Sequence, residues 1–227
     1  TVAELSVPFL RGLQNHGVSA SIKHFPGHGS ASEDSHYGLS TVTASAEELR
    51  SSDWVPFRRA VDAGVDSIMI AHVMVPSLTD ERVPASVSQA VLEGAVREEL
   101  GFDGLIISDS VTMGGLLHAL GERSAAVEVV EAGGDIVLTP GNPYTARSSL
   151  LEAVETGRIG EERINRSVRR ILRVKLDRGI LVPSGEEPFE RRFPHVRNLD
   201  PSKVLSAPEH RRVVEQIRRR AGSKNIR

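Results

Sequence analysis

The chain of 227 residues contains no cysteine. This absence excludes disulfide bonds, thiolate nucleophiles and cysteine-ligated zinc or iron–sulfur centres. It fits a reducing and an oxidising compartment equally well, so the cytoplasm and the cell envelope or exterior both stay open as locations. The chain also lacks an apolar run of the ~20 residues that a membrane-spanning helix needs, so we expect no membrane span.

An excess of charge of one sign is missing as well. Lys and Arg total 28 against 30 Asp and Glu, which gives a formal net charge of −2. Such a balance creates no long-range field that would attract a polyanion, so we expect no nucleic-acid partner. The hydrophobic content of 39% and the length are sufficient for a globular domain with a sizeable core.

A pattern in which a glycine ends a helix and a short apolar strand follows recurs along the chain. The glycines supply the residue after the helix end, and the β-branched runs behind them are typical of buried strands. Helix and strand alternating at this spacing predict parallel βα units. The predicted strands are 18–22, 67–71, 105–108 and 135–138, and helical patterns lie near 2–16, 46–63, 88–100, 120–132, 144–157 and 161–178.

Reactive side chains follow three of the predicted strands. Lys23 and His24 follow the first strand, His72 the second and Asp109 the third. In a (β/α)8 barrel the carboxyl ends of the strands meet on one face, where active sites lie. A doubly wound sheet would also gather these side chains at one edge, but no G-x-G-x-x-G loop follows any strand. We therefore predict an α/β fold, a partial (β/α)8 barrel with about four βα units.

The segment K-H-F-P-G-H-G-S-A-S-E-D-S-H, residues Lys23 to His36, is rich in histidine around glycine and proline. Glycine and proline disfavour regular helix or strand, so we predict a shaped loop. Histidine suits acid–base chemistry or metal binding. A metal hydrolase using His24, His28, His36 and Asp109 is one alternative. The sequence has no H-E-x-x-H pattern and the lysine would repel a cation, so we predict neither metal nor other cofactor.

This loop, together with Ala71-His72 and the run G-F-D-G-L-I-I-S-D-S-V-T-M-G from Gly101, resembles glycoside hydrolase family 3 in its β-N-acetylglucosaminidase branch. The resemblance extends to about residue 178 and implies the C-terminal half of a catalytic barrel. It implies that residues 1–180 belong to that barrel and that 181–227 form a linker and a basic helix leading toward a second domain. The missing N-terminal half would be needed to complete the site, so the piece alone is expected to be weakly active or inactive.

The resemblance also assigns roles to residues of the candidate site. Asp109 takes the position of the nucleophile and His36 that of the acid/base. Asp34 can accept the other imidazole N–H, which fixes the tautomer and favours the protonated ring. The expected sugar-binding residues are Lys23, His24, His28, His72 and Met113.

The implied reaction is retaining hydrolysis of terminal β-linked N-acetylglucosamine through a covalent glycosyl-aspartate intermediate. The implied substrates are small carbohydrates such as peptidoglycan fragments, as in bacterial peptidoglycan recycling. One alternative is a β-N-acetylglucosaminide phosphorylase, because a histidine acid/base would repel phosphate less than a carboxylate would. Another is a carbohydrate-binding remnant without catalysis.

Overall fold

The computed structural model describes residues 2–29, 31, 39–79, 83–120, 122–182 and 208–220. The chain divides into two compact units, Thr1–Glu186 and Glu187–Arg227. The described part of the second unit is a helix, Pro208–Arg220. Among the described residues, no helix is long and apolar enough to cross a membrane.

The first unit is built on a parallel sheet of four strands. They are β1 (Ser21–Phe25), β3 (Ser67–Ile70), β5 (Leu105–Ser110) and β6 (Ile136–Leu138), hydrogen-bonded in that order. Two short strands, β2 (Ser40–Thr41) and β4 (Val73–Met74), pair in parallel beside it. A doubly wound sheet reverses its strand order at one point, whereas this order follows the sequence throughout. The predicted parallel βα units are confirmed.

Helices connect successive strands, close to the predicted positions. The stretch predicted as one helix over 46–63 is divided, because a π-helical turn, Leu49–Asp53, interrupts it. The predicted helix over 88–100 is a π-helix, Ala90–Glu99. The remaining helices are α1 (Val2–Gln14), α2 (Ala46–Glu48), α3 (Val55–Asp62), α4 (Gly114–Leu120), α5 (Glu122–Ala132), α6 (Pro143–Glu155) and α7 (Glu161–Asp177), with a 3-10 turn at Ala85–Val87.

The first strand begins three residues later than predicted. Gly17 adopts a positive φ of 78°, and the Val18 amide donates to the carbonyl of Leu13 at 3.1 Å. These residues therefore complete the end of α1 instead of entering the sheet. The shift places Lys23 and His24 inside β1, near its carboxyl end.

The largest core cluster lies between the sheet and the helices that follow β1. Phe25, the last residue of β1, is fully buried against Trp54 and Phe57, with ring centroids 5.0 and 5.2 Å apart. Aromatic packing of this kind is worth about 0.5–1.5 kcal/mol beyond the area that it buries. It anchors the end of β1 and thereby positions His24, the preceding residue.

Two buried ion pairs lie at the amino ends of β3 and β6. Asp66 precedes β3 and accepts two hydrogen bonds from Arg178, at 2.7 and 2.6 Å. Asp135 precedes β6, has a fully buried side chain, and bonds Arg97 at 2.6 Å and the Ser167 hydroxyl at 2.5 Å. The sheet is thus clamped at the end opposite to the reactive side chains.

Candidate active site

Asp109 is the last residue but one of β5, and its two carboxylate oxygens have different surroundings. Oδ1 accepts a hydrogen bond from the backbone N–H of Ser110 at 2.7 Å. Oδ2 lies 3.6 Å from Nε2 of His24, longer than a hydrogen bond. The side chain remains 18% exposed. One oxygen is therefore held by the backbone, while the other faces His24 at an accessible position.

Lys23 and His24, at the end of β1, have different surroundings. His24 faces Asp109, and its ring centroid is 5.4 Å from that of the exposed His28. Lys23 is exposed at the open edge of the sheet and lines an apolar groove with side chains of α1 and α3, among them Phe9. The Lys23–His24 and Phe25–Pro26 peptides are cis. The structure thus brings His24, His28 and Asp109 together and places Lys23 on the edge groove.

The loop after β1 packs on Asp53, at the end of the Leu49–Asp53 turn. A Cβ atom on Gly27 would lie 2.7 Å from Oδ1 of Asp53, and one on Gly29 would lie 3.2 Å from it. Gly27 also has a positive φ of 118°. Its position requires glycine for both conformation and space. Sequence reasoning missed Asp53, because nothing in its local pattern indicates this contact.

His72 follows β3 and is buried, with only 1% of its surface exposed. Nδ1 lies 2.6 Å from the Ser86 hydroxyl, and Nε2 lies 3.0 Å from the Ser110 carbonyl oxygen. A carbonyl only accepts, so Nε2 carries the proton and Nδ1 accepts from the hydroxyl. Burial lowers the pKa of His72, against weaker opposing effects of the Ser110 carbonyl and the Asp109 charge. A contact between this ring and a sugar, as expected from the sequence, would require the hydrogen bonds of the ring to Ser86 and Ser110 to be broken.

A cluster of hydroxyl groups lies beside Asp109. The Ser110 hydroxyl bonds the hydroxyl of Thr112 at 2.8 Å and that of Thr139, which follows β6. Thr139 has a positive φ of 43°, which is rare for a β-branched residue and common at functional sites. Its place directly after a predicted strand is the signal that could have identified it. Met113 is half-buried, and its N–H donates to the Ser110 carbonyl at 3.0 Å.

Asp34 and His36, the expected acid/base pair, lie outside the described residues. The part of the chain that the structure describes contains no group of three or more His, Asp or Glu side chains that could hold a metal ion.

Comparison with known proteins identifies relatives across the first unit. Residues 1–174 match the family described as Glycosyl hydrolase family 3 N terminal domain. A β-N-acetylglucosaminidase/β-glucosidase from Cellulomonas fimi is 35% identical over 189 residues, 79% of this chain. A β-hexosaminidase from Stenotrophomonas maltophilia is 38% identical over 138 residues, 60% of this chain.

A solved structure supports the same relationship. The glycoside hydrolase family 3 β-N-acetylglucosaminidase from Paenibacillus sp. str. FPU-7 superimposes with a TM-score of 0.76 and 40% identity over 86% of this chain. The chain spans 34% of the Cellulomonas protein, 40% of the Stenotrophomonas protein and 39% of the Paenibacillus chain.

Proposed function

Because the chain belongs to glycosyl hydrolase family 3, we propose that its protein hydrolyses terminal β-linked N-acetylglucosamine with retention of anomeric configuration. Relatives are named β-N-acetylglucosaminidase and β-hexosaminidase, which supports this sugar. Small carbohydrates of the kind released from peptidoglycan are the proposed substrates. The four parallel strands form part of a (β/α)8-type barrel, and the chain superimposes on the Paenibacillus enzyme.

The observation that carries the proposal is the orientation of the Asp109 carboxylate. A nucleophilic carboxylate needs one oxygen free to reach the anomeric carbon and a rigid support for the other. Asp109 fits both conditions, since Oδ1 is held by the Ser110 amide, while Oδ2 lies at the carboxyl end of β5, 3.6 Å from Nε2 of His24, on a side chain that is 18% exposed. We therefore assign the attack to Oδ2.

The reaction then proceeds in two displacements. Oδ2 of Asp109 bonds to the anomeric carbon while the bond from that carbon to the glycosidic oxygen breaks, and the acid donates a proton to the departing oxygen. Water next attacks the anomeric carbon, the acid/base recovers a proton from it, and the carboxylate leaves with its electron pair. We propose His36, supported by Asp34, as the acid/base.

We propose that His24 binds a sugar hydroxyl next to the nucleophile. Nε2 of His24 lies 3.6 Å from Oδ2 of Asp109, so a sugar hydroxyl bound by this nitrogen lies close to the attacking oxygen. Such a contact fixes the anomeric carbon relative to the attacking oxygen. Lys23, His28 and Met113 are proposed as further sugar contacts.

We also propose that residues 1–180 carry the barrel portion and that 181–227 form a linker and the basic helix. The helix Pro208–Arg220 supports the second assignment.

The function is tested in protein that also contains the N-terminal half of the barrel, by following cleavage of an aryl β-N-acetylglucosaminide by NMR. The expected first product is the β-anomer of N-acetylglucosamine, and Asp109→Asn should lower the rate by at least about 10³-fold, as loss of a nucleophile does. Release of the α-anomer, or full activity in Asp109→Asn, would refute the proposal. Inorganic phosphate in a parallel assay identifies a phosphorylase, which would yield the sugar 1-phosphate.

A further inference from the structure

Both polar backbone groups of Ser110, the residue that follows Asp109, are held by hydrogen bonds. The N–H of Ser110 donates to Oδ1 of Asp109 at 2.7 Å. The carbonyl of Ser110 accepts from two donors at 3.0 Å each, Nε2 of His72 and the N–H of Met113. The carbonyl fixes the orientation of Ser110, and the N–H of Ser110 fixes the carboxylate.

His72 is itself fixed by a second buried group. Ser86 is fully buried in the 3-10 turn Ala85–Val87, and its hydroxyl lies 2.6 Å from Nδ1. Donation by this hydroxyl leaves the proton of the neutral ring on Nε2, where the Ser110 carbonyl requires a donor. The turn after β4 and the end of β5 are thereby joined through a single ring.

We propose that His72 is a positioning residue for the nucleophile, acting through the backbone of Ser110, with Ser86 selecting its tautomer. This inference rests on the proposed role of Asp109. It gives His72 a task that involves no contact with sugar, in agreement with its burial.

Loss of the Nε2–H donor would remove one of the two hydrogen bonds to the Ser110 carbonyl and loosen the backbone at Ser110. The N–H of Ser110 would then hold Oδ1 less firmly, and the attacking oxygen would lose its direction. Displacement of a reacting group by about 1 Å can cost on the order of 10² in rate. Sugar binding depends on other groups, so the rate of attack should change far more than affinity.

The test compares His72→Leu, which removes the donor, with His72→Gln, whose amide nitrogen can replace Nε2. Each variant is made in protein that also contains the N-terminal half of the barrel. It reacts with a 5-fluoro N-acetylglucosaminyl fluoride, and mass spectrometry follows covalent labelling against inactivator concentration. In His72→Leu the limiting rate should fall about 10- to 100-fold with an unchanged half-saturating concentration. His72→Gln should recover most of the rate, and equal rates in the two variants would overturn the proposal.

Ser86→Ala provides a milder variant in case His72→Leu does not fold. It keeps the ring but removes the hydroxyl that selects its tautomer, so a smaller fall in the limiting rate is expected. A labelling rate equal to that of the wild type would contradict the role given to Ser86.

Amide hydrogen exchange at Ser110, measured by NMR, reports the same geometry without any reaction. Exchange should accelerate several-fold in His72→Leu and stay near the wild-type rate in His72→Gln. If it does so while the wild type is never labelled, the positioning role stands and the proposed function fails. If labelling occurs and Ser110 exchange is the same in all variants, the positioning role fails and the function stands.

Discussion

Ser110 uses each of its polar atoms to organise the end of β5. Its N–H holds the Asp109 carboxylate, its carbonyl accepts from His72, and its hydroxyl bonds Thr112 and Thr139. For the proposed role of Asp109 as nucleophile, a carboxylate held in this way would need little reorganisation before attack, and such preorganisation is a large part of catalytic rate.

The buried ring of His72 gives a prediction for stability as a function of pH. Burial places its pKa in the folded protein below the ordinary value of 6.5, so only the unfolded chain takes up the proton between the two values. The neutral, buried His72 ring therefore contributes to the free energy of unfolding. This contribution should be fully present above pH 6.5 and should be lost as pH falls from about 6.5 toward the pKa of the folded protein.

Urea unfolding at pH 7.5 and at pH 5.5 measures this contribution. The loss of stability between the two pH values should be smaller in His72→Gln than in the wild type, since glutamine does not titrate. An identical loss in both proteins would show that another group is responsible.

Residue positions along the strands were enough to predict that two of the candidate residues lie close together. His24 and Asp109 follow apolar runs, and parallel strands bring their carboxyl ends together, as the 3.6 Å separation shows. Ser86 and Asp53 could not be predicted in this way. Their contacts join residues 14 and 26 positions apart in the chain, through a 3-10 turn and a π-helical turn that leave no periodic signal.

The β5 strand connects the site to the clamp at the other end of the sheet. Its Ile106 amide donates to Oδ2 of Asp135 at 3.0 Å, while Asp109 lies near its carboxyl end. Asp135 also joins the Ala90–Glu99 helix and α7 through Arg97 and Ser167. Several elements that position Asp109 thus depend on one buried carboxylate.

Because of this dependence, we expect alanine substitution of two aspartates that both contact Arg170 to lower the free energy of unfolding by very different amounts. Asp135 is fully buried, whereas Asp103 is 68% exposed. Asp135→Ala should lower the free energy of unfolding by about 3–5 kcal/mol, because it leaves buried arginines unpaired. Asp103→Ala should cost at most about 1 kcal/mol, as for exposed pairs.

Guanidinium unfolding of the two variants gives both values. If Asp103→Ala and Asp135→Ala lowered the free energy of unfolding by similar amounts, the stabilising role assigned to the buried Asp135 would be wrong.

The sheet as described does not close into a barrel, and in the first unit α1 exposes apolar side chains. Val2, Leu5 and Phe9 on α1 are 68%, 73% and 71% exposed, and Lys23 of β1 lies on the same groove as Phe9. An exposed apolar helix face beside an unpaired strand edge favours association between chains.

We therefore expect the 227-residue chain to self-associate at micromolar concentrations through the α1 face. Sedimentation velocity should show less association in the double variant Leu5→Lys, Phe9→Lys than in the wild type. Leu151→Lys on α6, which replaces a leucine that is 48% exposed, is the matched control and should not change it. Association that is equally strong in the double variant would place the contact elsewhere.

The parallel βα order could be predicted over the whole unit because helix and strand periodicities differ and glycines mark the helix ends. The division of 46–63 could not, because Trp54 and its neighbours fit helical spacing whether the turn is α or π.

Mass spectrometry after reaction with a 5-fluoro N-acetylglucosaminyl fluoride decides whether Asp109 is the nucleophile. We predict a single covalent sugar on the peptide that contains Asp109, and no labelling of Asp109→Asn. A sugar on a different carboxylate, or no adduct on folded protein that binds N-acetylglucosamine, would contradict the assignment.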